Sequence, residues 1–316
     1  MKKLLIGIFG GLCSISIYSA ELKLQNNMSE IHKSMITTRG LQQMREQKIL
    51  EKIEKFGISG SNQYLEGILK LESNYDNDHN KSNYDYKSKT KAFMMGTSSN
   101  FIKYPNLRVG VNYGYLKSTV RFDDSPKSKT KVRTHGIETF LGYNYNEWQF
   151  IGKIGYAQSK NKLNVNKSYN IVHRDNSYNV GGEIGRYFVI GDNFAFMYPY
   201  VGMNYIHYKM KAYEGLNSYG DGITSSDVGV TLYKEFKDKL LVTADVSWNH
   251  EFDDRKDVRK NKINYDKIET GKNNGQFNVS LGYFYDPDFL ITLRYQAFFN
   301  KNYYYDLLGV GLSHNF

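Results

Sequence analysis

The sequence LLGVGLSHNF at residues 307–316 alternates between two kinds of residue. Successive side chains of a β-strand point to opposite faces, so the alternation predicts a strand with one apolar face and one face of mostly small or polar residues. The residues of the apolar face are Leu308, Val310, Leu312, His314 and Phe316. The opposite face begins with Leu307 and continues with two glycines, a serine and an asparagine.

The same two-residue period continues back along the chain to about residue 62, and it predicts about twelve strands. The connections between these strands also alternate in length. The long, hydrophilic connections are residues 73–88, 118–130, 159–175, 210–225 and 253–274. The short ones are residues 99–105, 144–147, 189–193, 235–239 and 286–288. Short turns at one rim and long loops at the other are typical of an antiparallel transmembrane β-barrel.

The composition agrees with such a barrel. The mean hydropathy is −0.58, and no apolar run long enough for a membrane helix follows residue 20. A transmembrane barrel keeps a low mean hydropathy because lipid-facing and lumen-facing residues alternate. The 28 Tyr and 18 Phe suit the aromatic girdles at the two membrane interfaces. The net charge of +10 favours an anionic membrane surface, and not nucleic acid, as the partner.

Residues 1–20 have the pattern of a secretory signal peptide. Lys2 and Lys3 precede an apolar stretch, and Ser19 and Ala20 provide small residues at a cleavage point. The only cysteine, Cys13, lies in this segment. The remainder of the chain therefore offers no disulfide, thiol nucleophile or cysteine metal site.

Residues 21–60 form a short helical linker in this interpretation, and residues 29–56 within it form the single N-terminal α-helix. Ser29 can cap the start, and Gly57 and Gly60 end it. Two arrangements fit this pattern. The helix lies in the periplasm as a solvated arm, or it lies in the polar lumen of the barrel as a plug.

Residues 61–316 resemble the autotransporter translocator domain of type V secretion. The resemblance rests on the twelve strands, the terminal aromatic residue, the strand that begins at Trp148, and the stretch at 178–208. The residues of that stretch that match the family pattern are Glu183, Gly185, Pro199, Tyr200 and Tyr205. About forty residues separate the signal peptide from the barrel, which predicts either a stand-alone form with almost no passenger or a barrel that translocates only a short peptide.

The resemblance implies insertion by the barrel-assembly machinery, which reads the last strand. Leu308, Val310, Leu312, His314 and Phe316 would form that signal, although His314 departs from the usual hydrophobic residue.

The alternation also predicts a set of charged residues that face the lumen. These are Glu66, Lys70, Arg108, Glu138, Lys153, Glu183, Asp245 and Arg294. They could hold the helix through Lys48, Glu51, Lys52 or Glu54, because buried charges need partners. They could instead line a wet pore and set its ion preference, or pair with one another.

The sequence contains no nucleophile elbow, phosphate-binding loop or zinc motif, so we expect no catalysis, no cofactor and no metal. The expected partners are outer-membrane lipid and lipopolysaccharide, the barrel-assembly machinery, and an unknown host or cell-surface ligand. Residues 253–274 hold seven Lys and Arg, which suits contact with anionic lipopolysaccharide. The leading interpretation is a structural or transport role in the cell outer membrane. A surface adhesin with long loops and a diffusion pore are the alternatives.

Overall fold

The computed structural model describes ten segments of the chain, and all of them are strands with their short turns. The described residues are 62–75, 86–101, 103–122, 129–165, 169–191, 195–211, 219–236, 239–252, 273–299 and 303–315. The strands are β1 (Asn62–Tyr75), β2 (Tyr86–Phe101), β3 (Tyr104–Phe122), β4 (Lys129–Tyr145), β5 (Trp148–Val165), β6 (Tyr169–Arg186), β7 (Phe188–Ile190), β8 (Ala195–Met210), β9 (Tyr219–Phe236), β10 (Leu240–Glu251), β11 (Asn273–Asp286), β12 (Phe289–Phe299) and β13 (Tyr303–Asn315).

These strands form one closed antiparallel barrel. Each strand pairs with its neighbours in sequence, and β1 pairs with β13 to close the ring. The three-residue β7 follows a break at Tyr187 and pairs with the first residues of β8, whereas β6 pairs with the later ones. Strands β6 and β7 together therefore occupy one of the twelve strand positions of the barrel. The prediction of a twelve-stranded antiparallel barrel is confirmed. The predicted helix at 29–56 lies outside the described residues.

The paired residues climb as they pass around the barrel. A path that starts at Gln149 on β5 and follows paired residues across every strand returns to β5 at Leu163, fourteen residues farther along (163 minus 149). Such a stagger requires the strands to tilt relative to the barrel axis. Residues in one hydrogen-bonded row therefore lie at rising depths.

The two faces of the sheet differ in chemistry as the alternation predicts. Large apolar side chains point outward and are exposed, as at Leu65, Ile137, Ile154, Val246 and Leu293. The inward positions carry mostly buried polar residues, with some apolar ones among them. A polar interior and an apolar exterior invert the usual soluble arrangement and are typical of a barrel in lipid. Among the described residues, no helix has the length and hydropathy needed to cross a membrane.

All five connections at one rim are short, with two to four residues between the strands, whereas those at the opposite rim range from three to 21 residues. Asn146 and Glu147 connect β4 to β5, and Asn146 takes a positive φ of 51° that the tight turn requires. At the β11–β12 turn the backbone N–H of Asp288 donates to Asp286 Oδ1 at 2.9 Å. The rim with these turns is called the short-turn rim, and the opposite one the long-loop rim.

The strands are not equally long. Strands β3 to β6 have 17 to 19 residues, whereas β10 to β13 have 11 to 14. A transmembrane strand needs only about 9–11 residues. We call β2 to β6 with β8 the tall wall, and β10 to β13 the low wall. The tall wall extends beyond the length that a bilayer demands.

The predicted bounds of the long loops at 159–175 and 210–225 are too wide for this reason, although a connection lies within each range. Strand β5 continues to Val165, β6 begins at Tyr169, and β9 begins at Tyr219. Beyond the lipid the outward positions become polar, so the sequence looks hydrophilic although the strands continue.

A β-bulge interrupts β1. The register of β1 shifts between Ile68 and Lys70 in the ladder with β13 and between Ile68 and Leu71 in the ladder with β2, and Lys70 pairs with Leu308 after the shift. A bulge adds one residue to one strand and reverses the phase of the alternation that follows it.

Candidate functional site

The candidate site is the lumen wall, the set of inward-facing side chains of the twelve strand positions. Alternation places every second residue of a strand on this wall. Its buried charged members include Glu66, Glu138, Lys153, Asp245 and Arg294. Arg108 and Glu183 lie on the same wall and are half-buried. The predicted residue Lys70 lies at the bulge of β1, and its side chain is outside the described part of the structure.

The closing seam of the barrel carries an ion pair. Arg294 Nη2 on β12 lies 2.5 Å from Glu66 Oε1 on β1, and both side chains are less than 10% exposed. The intervening strand β13 holds Gly309 opposite Arg294, and a Cβ on Gly309 would lie 2.7 Å from Glu66 Oε1. The glycine leaves the space in which the two charges meet.

A second polar contact crosses β5 in the same way. Asn179 Nδ2 on β6 donates to Glu138 Oε2 on β4 at 2.9 Å. Gly155 lies between them in register, and a Cβ there would clash with Asn179 Oδ1. Polar side chains two strands apart therefore reach one another over a glycine.

Two tyrosines on β8 hold carboxylates of the lumen wall. The Tyr198 hydroxyl donates to Glu183 Oε1 at 3.1 Å, and the Tyr200 hydroxyl donates to Asp245 Oδ2 at 3.2 Å. Asp245 also accepts a hydrogen bond from Thr231 Oγ1 at 2.7 Å. These contacts orient the two carboxylates on the lumen wall.

The rings of these tyrosines lie over glycines. A Cβ on Gly185 would lie 2.3 Å from Tyr198 Cζ, and one on Gly229 would lie 2.5 Å from Tyr200 Cζ. Gly185 pairs with Tyr200 across the β6–β8 ladder. The residues that carried the family resemblance, Glu183, Gly185 and Tyr200, thus meet at one place in the wall.

A chain of amides connects four neighbouring strands through Asp227. Asp227 accepts hydrogen bonds from Asn204 Nδ2 at 2.9 Å and Asn249 Nδ2 at 2.8 Å. Asn274 Nδ2 then donates to Asn249 Oδ1 at 3.0 Å. Lys153 and Glu183 border a small cavity beside Asn204 and Asp227. Both signs of charge are therefore present around one small cavity.

Near the long-loop rim the wall carries a buried histidine. His173 Nδ1 lies 2.9 Å from Asp175 Oδ1, and Asn161 Nδ2 donates to the other oxygen of Asp175. Sequence reasoning missed this cluster and Asp227. Asn161, His173 and Asp175 fall in the predicted loop 159–175. The two-residue period that places Asn161 and Leu163 on the same face was nevertheless visible in the sequence.

The remaining predicted residues have simpler surroundings. Arg108 Nε and Nη2 donate to Ser98 Oγ at 2.9 and 2.6 Å. Leu308, Val310, Leu312 and His314 lie on β13, and Phe316 lies outside the described residues. Their role as an assembly signal stays a prediction. In the part of the chain that the structure describes, no group of His, Cys, Asp and Glu could hold a metal ion.

Comparison with known families decides what this barrel is. The model of the autotransporter beta-domain matches residues 71–296. The chain belongs to the autotransporter β-domain family. β-Domains of this family are transport-related barrels that are embedded in the outer membrane, so the leading interpretation of a structural or transport role is confirmed.

Solved structures of autotransporter β-domains share the fold. The translocator domain of autotransporter NalP from Neisseria meningitidis is 14% identical, with a TM-score of 0.70 over 89% of this chain and 97% of that chain. The transport unit of AIDA-I from Escherichia coli is 10% identical, with a TM-score of 0.61 over 82% and 91%. An outer membrane channel from Pseudomonas putida F1 is 11% identical, with a TM-score of 0.54 over 82% and 96%. No curated protein matches the chain in sequence.

Proposed function

We propose that this β-domain is a translocator barrel of the cell outer membrane whose lumen holds part of its own residues 21–60. The observation that carries the proposal is the lumen wall, which places carboxylates, cations and amides around the interior of a closed barrel. A lumen lined with charged and polar groups favours a polar occupant over an apolar one. A polar chain segment in the lumen would add contacts to carboxylates and cations that the wall already orients.

The segment at residues 21–60 has the complementary chemistry. Lys48, Glu51, Lys52 and Glu54 bring charges of both signs within one predicted helix. The lumen wall offers carboxylates at Glu138, Glu183, Asp227 and Asp245 and cations at Lys153 and Arg294. Mixed charges on both surfaces allow many weak contacts. Such contacts would hold a segment in place and still release it.

The proposed route to the membrane uses both ends of the chain. Residues 1–20 would direct export and be removed, and the outward residues of β13 would be read by the barrel-assembly machinery. The apolar outward face of the barrel supports insertion into lipid. This role needs no reaction centre, so we assign no catalysis, cofactor or metal to the barrel.

Single-channel conductance of the refolded barrel in planar bilayers tests the plug. We expect residues 21–316 to form a nearly closed channel and residues 61–316 to form an open one. A matched variant of the long form replaces Lys48, Glu51, Lys52 and Glu54 with Gln, and it should close the channel only part of the time. If the long and short forms conduct equally, the segment lies outside the lumen and the proposal is wrong.

A further inference from the structure

On the outer face of the tall wall, aromatic residues give way to cations toward the long-loop rim. Outward positions recur every second residue. On β2 the outward Phe93 is followed toward this rim by Lys91 and Lys89. On β3 the outward Tyr115 is followed by Lys117.

Strands β5 and β6 repeat the change. On β5 the outward Tyr156 is followed by Gln158 and then by Lys160. On β6 the outward Tyr178 is followed by Asn176 and then by Arg174. Rings on adjacent strands lie close together, with centroids of Phe93 and Tyr115 5.7 Å apart and those of Tyr156 and Tyr178 5.1 Å apart, and we call these outward rings the aromatic girdle.

Six of the cations are direct neighbours across the sheet. The pairs along this row are Lys91 with Lys117, Lys117 with Arg133, Arg133 with Lys160, and Lys160 with Arg174. The backbone N–H of Lys211 then donates to the carbonyl of Arg174 at 3.1 Å. All six side chains are exposed. Like charges directly opposite one another destabilise a sheet, so an anion bound at the outer face of this row would relieve the repulsion.

The charge on this face has one sign. We define the basic belt as the outward Lys and Arg within residues 87–91, 117–121, 129–133, 160–162, 174 and 209–211. Within these described segments no outward position holds Asp or Glu. The corresponding ends of β9 to β13, at residues 219–228, 246–252, 273–277, 295–299 and 303–308, contain no Lys or Arg. The belt therefore covers one side of the barrel only.

The aromatic girdle fixes the depth of the belt. Aromatic residues of membrane barrels lie at the boundary between hydrocarbon and headgroups. Cations just beyond that boundary lie among the headgroups, and their long side chains let the charged ends reach toward anions. Lys and Arg both bind phosphate oxygens with charge-assisted hydrogen bonds.

We propose that the basic belt of the tall wall binds the phosphate groups of anionic glycolipid in the outer leaflet, the chemistry of lipopolysaccharide. The proposal rests on the proposed location in the outer membrane with the long-loop rim outside. It assigns lipid binding to the folded wall and not to the connection at residues 253–272. The barrel would then hold an ordered lipid shell on one side.

The test is a lipid titration of refolded residues 21–316 in neutral detergent, followed by native mass spectrometry. The ligand is lipid A with two phosphates, and the comparison ligands are dephosphorylated lipid A and inorganic phosphate. The belt variant combines Lys117→Gln, Arg133→Gln, Lys160→Gln and Arg174→Gln. Each cation near an anionic surface contributes several-fold, so the belt variant should bind lipid A at least about tenfold more weakly.

Two matched variants separate position from charge. The loop variant, Arg255→Gln, Lys256→Gln, Arg259→Gln and Lys260→Gln, removes the same charge and should bind lipid A as the unmodified protein does. The exchanged variant, Lys117→Arg, Arg133→Lys, Lys160→Arg and Arg174→Lys, keeps the charge and should also bind normally. Heat-dependent mobility in gels reports folding. If the belt variant does not refold, the pairs Lys117→Gln with Arg133→Gln and Lys160→Gln with Arg174→Gln replace it.

Four results overturn the proposal. They are normal lipid A binding by a folded belt variant, equal weakening in the loop variant, equal affinity for phosphorylated and dephosphorylated lipid A, and binding of inorganic phosphate or a duplex DNA as tight as that of lipid A. Conductance of the same samples is measured in parallel. If deletion of residues 21–60 opens the channel while the belt variant binds lipid A normally, the proposed function stands and the lipid-binding proposal is wrong.

Discussion

The tall wall and the low wall use the same alternation but differ beyond the aromatic girdle. At about 3.3 Å per residue, the 18 residues of β5 span roughly 60 Å, whereas the 11 of β12 span roughly 36 Å. The low wall ends near the girdle, with Trp248 and Phe299 among its last outward residues. The tall wall continues with cations outside and a buried His173 and Asp175 inside. The thickness of the bilayer sets the minimum strand length. The residues of the tall wall beyond that length serve contacts other than those with the hydrocarbon core.

The largest expected effect falls on the low wall and its seam. Arg294→Met leaves Glu66 buried without its partner, so we expect the free energy of unfolding to fall by about 3–5 kcal/mol. Urea unfolding in lipid vesicles, followed by tryptophan fluorescence, measures it. The double variant Glu66→Gln with Arg294→Met should recover part of the loss. A loss below about 1 kcal/mol would mean that water already screens the pair and that the seam gains little from it.

A smaller effect is expected from filling the glycine beneath Tyr198 in the tall wall. A Cβ on Gly185 would lie 2.3 Å from Tyr198 Cζ, so Gly185→Ala should cost about 1–3 kcal/mol through overpacking. Gly152→Ala is the matched control, because a Cβ at Gly152 meets nothing within 4 Å. Equal unfolding midpoints for the two variants would show that the Tyr198 ring moves aside freely.

The hydrogen bond of Tyr198 gives the next effect. Tyr198→Phe keeps the ring over Gly185 but removes the donor to Glu183, which should cost about 0.5–1.5 kcal/mol. The same denaturation in vesicles reports it. Tyr104→Phe, at a side chain that is 65% exposed, should change nothing measurable. An equal change at both positions would contradict a specific role for the Glu183 contact.

The smallest expected effect tests the row of cations that distinguishes the tall wall from the low wall. Lys160→Gln relieves repulsion from Arg133 and Arg174, so in neutral detergent at low salt it should stabilise the barrel by about 0.2–1 kcal/mol. Lys103→Gln, in the turn between β2 and β3 at the opposite rim, should not. Added salt should remove the gain because it screens exposed charges. A loss of stability in Lys160→Gln would show that the row is not repulsive.

The parts of the fold that lipid dictates were predictable from the sequence. The alternation of Val246 and Trp248 with polar neighbours indicated both the strand and its outward face, and twelve such strands are confirmed. The ends of the tall wall were not predicted. Lys160 and Lys162 look like a loop because no lipid requires apolar residues there, although Leu163 is fully buried on the other face.

The contacts of the lumen wall could not be predicted from alternation alone. Alternation gives the face of a residue, but the meeting of Glu66 with Arg294 depends on the register of three strands and on Gly309 between them. The bulge after Ile68 reverses the phase of the strand, but Leu69 and Leu71 continue the two-residue period in the sequence, so the reversal could not be recognised there. Asp227 was missed because its contacts with Asn204 and Asn249 depend on the register of three strands, which alternation does not give.

The closure of the barrel has a consequence for its capacity. Twelve strands spaced about 4.8 Å apart and tilted by about 40° enclose a backbone cylinder roughly 24 Å across. Inward side chains on opposite walls narrow this opening to roughly the 10–12 Å of one helix with its side chains. Two helices cannot lie side by side in such an opening. A helix resting inside must leave before another helix can enter.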